Sequence, residues 1–301
     1  MFIGDNMKTI RITPRGLCHG VVGAINTITK LDQKSTPKPI YILGMLVHNK
    51  QVVESFKERG IITLHDPSRT RMDLLDEITE GTVIFTAHGI SPKVKEKALD
   101  KGLNIIDTTC GDVTKTQDVI YEYLDKDFSI IYIGKQTHPE SEAAKGISEK
   151  VYLIETEKDI EALNITGNIA VTNQTTMSLY DVYNLSQFIK SKYPESIFID
   201  EICNATRIRQ EAVMKQEYVD HCFVVGDKLS NNSQKLVQVS IEQAGINATL
   251  IESLKDIDVE FLKTIDSVSV SSGASTPTQT TREVLTFLEN FDKSDPETHI
   301  I

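Results

Sequence analysis

Three of the four cysteines stand at nearly equal intervals along the 301-residue chain. Cys18 and Cys110 are 92 residues apart, and Cys110 and Cys203 are 93 residues apart. Each follows a short apolar run and precedes a helical pattern, so the spacing indicates one cysteine in each of three repeated units. Three thiolates that meet at one point would form a soft-ligand site suited to an iron–sulfur cluster, with one ligand fewer than a complete set.

Each unit contains the same succession of short β-rich runs, polar loops and helical patterns. Apolar, β-branched runs are typical of buried strands, and their alternation with helices predicts parallel βαβ units. We expect four strands per unit, near Thr9–Thr13, Ile40–Leu43, Ile61–Leu64 and Thr82–Thr86 in the first, near Asn104–Asp107, Ser129–Ile133, Val151–Ile154 and Asn168–Thr172 in the second, and near Ser196–Asp200, His221–Val225, Ala248–Ile251 and Ser267–Val270 in the third.

This succession predicts an α/β protein of three small parallel-sheet domains. We expect them at residues 1–103, 104–194 and 195–292, followed by a polar C-terminal tail at residues 293–301. Each would be close to the smallest size that keeps its own core. Ligands of open α/β sheets bind in the loops at the carboxyl ends of the strands. A pseudo-threefold packing of the units would therefore bring those loops to one central cavity.

Charge and cysteine usage narrow the class of protein. A net charge of −11 and a pI of about 5.2 argue against a general nucleic-acid-binding surface. The N-terminus lacks the apolar segment of a signal peptide, and no stretch is long enough to cross a bilayer. Four cysteines over this length do not resemble a secreted disulfide framework. We expect a cytoplasmic protein without nucleic-acid or membrane partners.

The loops that follow the predicted strands contain most of the residues capable of chemistry. Thiols follow the first strand of each unit, whereas imidazoles, hydroxyls, amides and one carboxylate follow the second and fourth strands. Besides Cys18, Cys110 and Cys203, the candidates are His48, His88, His138, Glu140, the Gln174–Thr176 loop, the Ser230–Ser233 loop with Asn231 and Asn232, and the Ser272–Ser275 loop.

Simpler interpretations compete with each candidate. A lone cysteine at a strand is most often a small buried hydrophobe, and we interpret Cys222 in this way. Zinc is the rival metal for the other three cysteines, but tetrahedral zinc sites usually show closely spaced cysteine pairs, which this sequence lacks. His19 adjoins Cys18 and is ambiguous. The serine and asparagine loops are also compatible with simple turns or caps.

Taken together, these loops resemble one known family, the 4-hydroxy-3-methylbut-2-enyl diphosphate reductases, also called the IspH/LytB family. The resemblance extends from about Arg15 to Pro277. It depends on the motifs Arg15-Gly16-x-Cys18-x-Gly20-Val21, Val47-His48-Asn49, Ala87-His88-Gly89, Thr109-Cys110 with Val113-Thr114-Lys115, His138-Pro139-Glu140, Gln174-Thr175-Thr176, Cys203-x-Ala205-Thr206 with Arg209-Gln210, Ser230-x-Asn232-Ser233 and Gly273-Ala274-Ser275-x-Pro277.

The resemblance implies a trefoil of three α/β domains around a 4Fe-4S cluster. Cys18, Cys110 and Cys203 would each hold one iron, and the fourth iron would stay open for the substrate hydroxyl. Glu140 would be the proton source, and Thr175 would lie beside that hydroxyl. Diphosphate binding would fall to the remaining loop residues, namely His48, His88, His138, Ser230, Asn231, Asn232 and Ser275.

The implied reaction is reductive dehydroxylation of an allylic alcohol. The cluster would polarise the C–O bond and deliver electrons, Glu140 would protonate the departing oxygen, and a second proton would give isopentenyl or dimethylallyl diphosphate. Ferredoxin or flavodoxin would be the electron donor. Two alternatives stay open, an iron–sulfur hydro-lyase that needs no electrons and a non-catalytic diphosphate-binding protein. The chain differs from the residues usual in the family at Leu17, His19, Gly111, Asn231 and Arg207-Ile208.

Overall fold

The computed structural model describes residues 6–31 and 34–301. The strands in this part of the chain are β1 (Lys8–Arg11), β2 (Ile40–Leu43), β3 (Ile62–Leu64), β4 (Thr82–Phe85), β5 (Asn104–Asp107), β6 (Ser129–Ile133), β7 (Val151–Ile154), β8 (Ile169–Asn173), β9 (Ile197–Phe198), β10 (His221–Val225), β11 (Ala248–Ile251) and β12 (Ser267–Ser272). Each predicted run therefore overlaps a strand.

Helices connect the strands throughout the described residues. They are α1 (His19–Thr29), α2 (Lys50–Lys57), α3 (Arg71–Asp76), α4 (Pro92–Asp100), α5 (Gly111–Asp125), α6 (Pro139–Lys145), α7 (Glu157–Ala162), α8 (Leu179–Lys192), α9 (Asn204–Met214), α10 (Asn231–Glu242), α11 (Val259–Leu262) and α12 (Thr278–Asn290), with 3-10 turns at Leu254–Asp256 and Pro296–His299. Within residues 6–31 and 34–301, no helix has both the length and the apolar character needed to cross a bilayer.

The strands form three separate four-stranded sheets in which all neighbours are parallel. The first sheet has the order β3-β2-β4-β5, the second β7-β6-β8-β9 and the third β1-β12-β10-β11. The inner strands β4, β8, β10 and β12 are buried along their whole length. Helices therefore cover both faces of each inner strand, as near-continuous apolar runs predict. The α/β class with three parallel sheets is confirmed.

The predicted assignment of strands to units was wrong at one strand in each sheet. β5 pairs with β4, β9 pairs with β8, and β1 pairs with β12, so each of these strands belongs to the sheet of the neighbouring unit. The predicted boundaries after residues 103 and 194 therefore separate the first and second sheets from their last strands. The spacing of the cysteines gives the length of a repeat but not the residue at which each repeat begins. The crossover helices α4 and α8 carry the chain to the adjacent parallel strand.

The chain divides into two compact units. One unit is His19–Cys203, which contains the first and second sheets. The other combines the described residues up to Cys18 with Asn204–Ile301 and contains the third sheet. The N-terminal strand β1 belongs to this second unit because it completes the sheet built by the C-terminal third of the chain.

The repeat is visible at the start of the short helix or 3-10 turn that follows β3, β7 and β11. An aspartate in the first turn accepts a hydrogen bond from the backbone N–H of a hydroxyl-bearing residue three positions earlier. The distances are 3.0 Å for Thr70 to Asp73, 2.8 Å for Thr156 to Asp159 and 2.9 Å for Ser253 to Asp256. This reciprocal cap satisfies N–H groups that a short helix would otherwise leave unpaired. The same local solution recurs once per repeat.

Strand β6 shows how the sheet directs side chains toward the site. Ile131 and Ile133 belong to one apolar cluster, which also contains Val182 of α8. Tyr132, between them, belongs to the cluster on the opposite face with Ile120 of α5. Successive side chains of a strand point to opposite faces, so Tyr132 is directed away from α8. Its ring is fully buried.

Gly81, directly before β4, provides a test of the close packing in the first sheet. Its φ of +95° and the 2.2 Å separation between a built Cβ and the Pro39 carbonyl oxygen exclude any side chain. We expect Gly81→Ala to lower the free energy of unfolding by about 3 kcal/mol. Gly60 has a similar φ of +75° but open space around it, so Gly60→Ala should cost only about 1 kcal/mol. Urea unfolding followed by circular dichroism measures both, and equal losses would contradict this account.

Candidate functional site

Three histidines from three strand-end loops meet in the His19–Cys203 unit. His48 follows β2, His88 follows β4 and His138 follows β6. Their ring centroids are 4.3 Å apart for His48 and His88, 5.4 Å for His48 and His138, and 5.5 Å for His88 and His138. Loops of the first and second sheets therefore converge as the sequence predicted for these three residues.

Helix starts fix the histidine loops. His138 is the N-cap of α6, and its Nδ1 accepts a hydrogen bond of 3.1 Å from the Glu140 N–H. An accepting Nδ1 means that the neutral ring carries its proton on Nε2, which remains a donor for a ligand. After His48, the Asn49 side chain caps α2 by accepting from the Val52 N–H at 3.0 Å. Local capping therefore orients one ring and anchors the loop of another.

The three imidazoles are neutral at physiological pH. Burial lowers the pKa of His48 to about 4, and the positive charge of Arg71 contributes in the same direction. Burial likewise holds the pKa values of His88 and His138 well below the ordinary range, with smaller effects from the neighbouring rings and Arg71. Each ring can therefore donate one hydrogen bond to an anion without carrying a charge of its own.

Glu140 is the second element of the site, and its carboxyl group is buried with only 3% of the residue exposed. One oxygen accepts from the Thr175 N–H at 2.7 Å and from the Tyr132 hydroxyl at 3.2 Å, and the other accepts from the Thr175 hydroxyl at 3.0 Å. Burial raises the pKa of Glu140 to about 7, although these three hydrogen bonds oppose the rise. A carboxyl group that titrates near neutrality is suited to general acid catalysis.

Thr175 connects the acid to a cysteine loop. Besides its two hydrogen bonds to Glu140, its carbonyl oxygen accepts from the Cys203 N–H at 3.0 Å. The preceding Gln174 is fully buried, and its side-chain oxygen accepts from the Lys135 N–H at 3.0 Å. The loop after β8 is thus held from both sides, which fixes the distance between the acid and the backbone of Cys203.

The same unit holds Cys110 at the start of α5. The Cys110 N–H donates to the Ala87 carbonyl at 3.0 Å, beside His88. A Cβ on Gly20 would lie 2.4 Å from the Cys110 sulfur, so a side chain there would displace that sulfur. Lys115 on α5 contacts both carboxylate oxygens of Glu201 at 3.0 Å. This ion pair connects the Cys110 helix to the segment that leads into Cys203.

Cys18 lies in the other unit, next to the loop that follows β12. Its N–H donates to the Ala274 carbonyl at 2.9 Å, and the Gly16 N–H donates to the Ser272 hydroxyl at 3.0 Å. The buried Arg209 guanidinium donates to the Gly16 carbonyl at 2.8 Å. The first cysteine is therefore held by a buried cation and by the strand-end loop of the third sheet.

The predicted polar residues of the third-sheet unit follow the neighbouring strands β10 and β12, with Ser230 at the N-cap of α10, Asn231 and Asn232 in its first turn, and Ser275 in the loop after β12. Ser230, Asn231, Asn232 and Ser275 are all buried, and the Ser230 hydroxyl caps α10 by accepting from the Ser233 N–H at 3.3 Å. Within the described residues, neither side-chain atom of Asn232 has a hydrogen-bond partner although both are buried. A buried amide without partners is costly, and a bound anion would accept a hydrogen bond from its Nδ2 group.

The residues present fit an iron–sulfur cluster. Cys18, Cys110 and Cys203 each stand directly before the first residue of a helix of at least eleven residues. Helix N-termini stabilise thiolates and anionic groups. None of the four cysteines forms a disulfide, and the fourth, Cys222, is fully buried in the third sheet as expected.

Two groups of side chains also have the composition of metal sites. Donor atoms of His48, His88 and His138 lie within 4.8 Å of one another, as do those of His19, Cys110 and Asp112. Three neutral imidazoles could bind zinc. However, the protonated Arg71 beside them disfavours a cation and favours an anion. His19, ambiguous in the sequence, is mostly exposed and contacts Asp112 at 3.2 Å.

The sequence interpretation missed two residues of the site, Tyr132 and Arg71. Tyr132 stands within the apolar run Ile130–Ile133, where alternation along the strand could have assigned it to the face opposite Ile131. Arg71 is the first residue of α3 and is only 4% exposed. An arginine in a first helical turn normally faces solvent, so no sequence signal indicates its burial.

The raised pKa of Glu140 predicts how stability depends on pH. The unfolded chain ionises near 4.5, whereas the folded protein keeps this proton until about pH 7. We compare the free energy of unfolding of the unsubstituted protein with that of Glu140→Gln. The difference, unsubstituted protein minus variant, should therefore be highest below about pH 4.5. It should fall by about 3 kcal/mol as the pH rises to about 7 and then level off.

Urea unfolding between about pH 5 and pH 8 measures this difference, and a difference independent of pH would contradict the assignment. Tyr132→Phe provides a directional check. The Tyr132 hydroxyl lowers the pKa of Glu140 through its hydrogen bond. Its removal should therefore move the point at which the difference levels off to higher pH.

Comparison with known proteins identifies the family. The sequence model described as LytB protein matches residues 9–289. The 4-hydroxy-3-methylbut-2-enyl diphosphate reductases of Bacillus cytotoxicus and Bacillus subtilis are 53% and 51% identical to this chain over 297 residues, covering 97% of this chain and 93% and 94% of the relatives. The solved structure of the E-1-hydroxy-2-methyl-but-2-enyl-4-diphosphate reductase from Plasmodium falciparum is 31% identical. It has a TM-score of 0.86 and covers 93% of this chain and 87% of that chain.

These matches extend over both units, from the N-terminal strand β1 to the C-terminal helix α12. They therefore include the segments that carry the three histidines, Glu140 and the cysteines Cys18, Cys110 and Cys203. The sequence match, the shared architecture and the residues of the site agree, and the chain belongs to the LytB protein family.

Proposed function

We propose that this chain is a reductase of 4-hydroxy-3-methylbut-2-enyl diphosphate, which removes the allylic hydroxyl group to give isopentenyl diphosphate and dimethylallyl diphosphate. This is the terminal step of the non-mevalonate pathway, as a related solved structure is titled. The observation that carries the proposal is the buried Glu140 carboxyl group, which Thr175 holds, on a residue whose backbone N–H donates to the His138 ring. An acid poised near pH 7 beside uncharged donors suits proton delivery to an anionic substrate.

The diphosphate group would be bound by donors that carry no fixed charge. His48, His88 and His138 present neutral imidazoles, and Ser230, Asn231, Asn232 and Ser275 present hydroxyls and amides in the other unit. Charge-assisted hydrogen bonds to an anion are stronger than neutral ones, so such a set gains affinity when the anion enters. The unpartnered amide of Asn232 supports this assignment.

Cys18, Cys110 and Cys203 would hold a 4Fe-4S cluster with one iron open to substrate. When bound, such a cluster supplies single electrons and a Lewis acid for the substrate oxygen. Helix N-termini after all three cysteines support the cluster. We further propose ferredoxin or flavodoxin as the electron donor. The free thiols favour the reducing cytoplasm as the location.

The protein's own contribution is to hold a proton and to deliver it. The Thr175 N–H and hydroxyl orient the Glu140 carboxyl group, and burial keeps that group protonated up to about pH 7. Glu140 gives its proton to the departing hydroxyl oxygen, so water leaves in place of hydroxide. Two electrons and a second proton complete the conversion of substrate to product and water.

Substitution of the acid tests its role. We expect Glu140→Gln to bind substrate and keep the cluster but to lose about 10²–10⁴-fold in turnover, the usual contribution of general acid catalysis. Steady-state assays under anaerobic conditions measure the loss, with Glu149→Gln as an exposed glutamate control. Turnover equal to that of the unsubstituted protein would remove Glu140 from this role.

Substitution of a proposed ligand tests the cluster. Cys110→Ser should lose cluster iron, cluster absorbance and activity together, because a hydroxyl is a poor ligand for this soft site. Cys222→Ser is the matched control. Cys222 is fully buried in β10 and outside the proposed site, so its cluster content should be unchanged. An intact cluster in Cys110→Ser would reject the ligand assignment.

The requirement for electrons separates the proposed reductase from the two alternatives. The anaerobically purified protein is incubated with the allylic diphosphate, with and without a one-electron reductant. We expect isopentenyl and dimethylallyl diphosphate only with the reductant. Loss of water from the substrate without reductant would identify a hydro-lyase, and binding without conversion in both arms would identify a diphosphate-binding protein.

A further inference from the structure

Arg71 is a buried cation that the proposed chemistry has not yet used. It is the first residue of α3, and only 4% of its surface is exposed. Its guanidinium donates to the Gly89 carbonyl at 2.8 Å, to the Thr86 hydroxyl at 3.0 Å and to the Pro139 carbonyl at 3.4 Å. All three acceptors are uncharged oxygens.

These acceptors flank two of the three histidines. Gly89 follows His88 directly, and the Thr86 hydroxyl also lies 3.4 Å from the His88 Nδ1. Pro139 follows His138 directly and precedes the acid Glu140. One guanidinium therefore connects the loop after β4 of the first sheet with the loop after β6 of the second sheet. It fixes the separation of two loops that local sequence alone does not fix.

The positive charge of Arg71 has no full counter-charge nearby. The charge of Glu142 raises the pKa of Arg71 and partly opposes the effect of burial. Its side chain, however, accepts from the Arg71 backbone N–H at 3.0 Å rather than from the guanidinium. Among the described residues, no carboxylate oxygen lies within ion-pair distance of the guanidinium. Burial lowers the pKa of Arg71 to about 10, so it remains protonated at neutral pH. A buried guanidinium without a paired anion is costly.

The electrostatic influence of Arg71 reaches all three imidazoles, because its charge contributes to the lowered pKa of His48, His88 and His138. A negatively charged group bound by those rings would therefore be attracted by the guanidinium. A diphosphate carries several negative charges and would supply the counter-charge that the site lacks.

We propose that Arg71 is a positioning residue for the diphosphate group, which sets the spacing of His88 and His138 and supplies the buried positive charge that attracts the anion. This inference rests on the proposed function, since it assigns the histidine group to diphosphate. Arg71 is not one of the histidine, serine and asparagine residues already assigned to the diphosphate. The inference makes the affinity for diphosphate depend on a charge that does not contact the reacting carbon.

Three variants separate charge, geometry and simple surface effects. Arg71→Met removes the charge and the donors while keeping a long side chain. Arg71→Lys keeps the charge but loses the forked donor arrangement. Arg69→Met is the matched control. Arg69 is two residues earlier and ion-paired with Glu77 at the surface.

Affinity is measured by anaerobic calorimetry of the cluster-loaded protein with inorganic diphosphate, and KM and kcat are measured with the allylic diphosphate. For Arg71→Met we expect the dissociation constant and KM to rise about 10–100-fold, while kcat falls by less than about 5-fold. Arg71→Lys should recover most of this affinity, to within about 10-fold of the unsubstituted protein. Arg69→Met should match the unsubstituted protein.

A merely structural role would lower kcat and cluster content together with affinity and would not be rescued by lysine, and that pattern would overturn the inference. If Arg71→Met does not fold, the lysine variant decides: a dissociation constant raised more than about 10-fold would count against the charge. Diphosphate binding by Arg71→Met equal to that of an active unsubstituted protein would overturn this inference and leave the proposed reductase intact. If Arg71→Met binds diphosphate more weakly but the unsubstituted protein has no reductase activity, the proposed reductase function is overturned and the role of Arg71 in diphosphate binding stands.

Discussion

Exclusion of water from the Glu140 carboxyl group is the constraint on which the site depends. An ionised carboxylate in this position would lose most of its hydration, and the three hydrogen bonds from Thr175 and Tyr132 only partly replace it. The group therefore keeps a proton near neutral pH. Three elements must pack correctly to produce this environment, namely β6 with Tyr132, β8 with the Thr175 loop, and α6 with the acid itself.

The same exclusion of water gives the histidine group its character. Burial makes the rings of His48, His88 and His138 neutral, so they serve as donors rather than as charges. Arg71 adds a fixed positive charge close to these rings, where it contacts Gly89, Thr86 and Pro139. Uncharged donors beside a buried cation form an environment that favours a polyanion over a metal ion.

Much of this arrangement could be predicted from the sequence, because strand-end loops of parallel sheets share one edge. The strand positions follow from the apolar runs, and the meeting of His48 and His88 follows from this rule because β2 and β4 are neighbours in one sheet. The approach of His138 depends on how the second sheet packs against the first. The residue at which each repeat begins does not follow from the sequence pattern, and the pairing of β1 with β12 depends on long-range packing that periodicity cannot encode. Burial of Arg71 was equally hidden, since a first-turn arginine is normally solvated and only the meeting of two sheets encloses it. The shared role of the three cysteines remains a prediction.

The central claim is that this chain reduces an allylic diphosphate at a cluster held by three cysteines, with one iron left open to substrate. Mössbauer spectroscopy of anaerobically prepared, iron-57-labelled protein tests it most directly, before and after addition of 4-hydroxy-3-methylbut-2-enyl diphosphate. We predict a four-iron cluster in which one iron site is distinct and changes its signal when the substrate binds. Four equivalent iron sites whose Mössbauer signals do not change when the substrate is added, or protein that takes up no iron, would contradict the account.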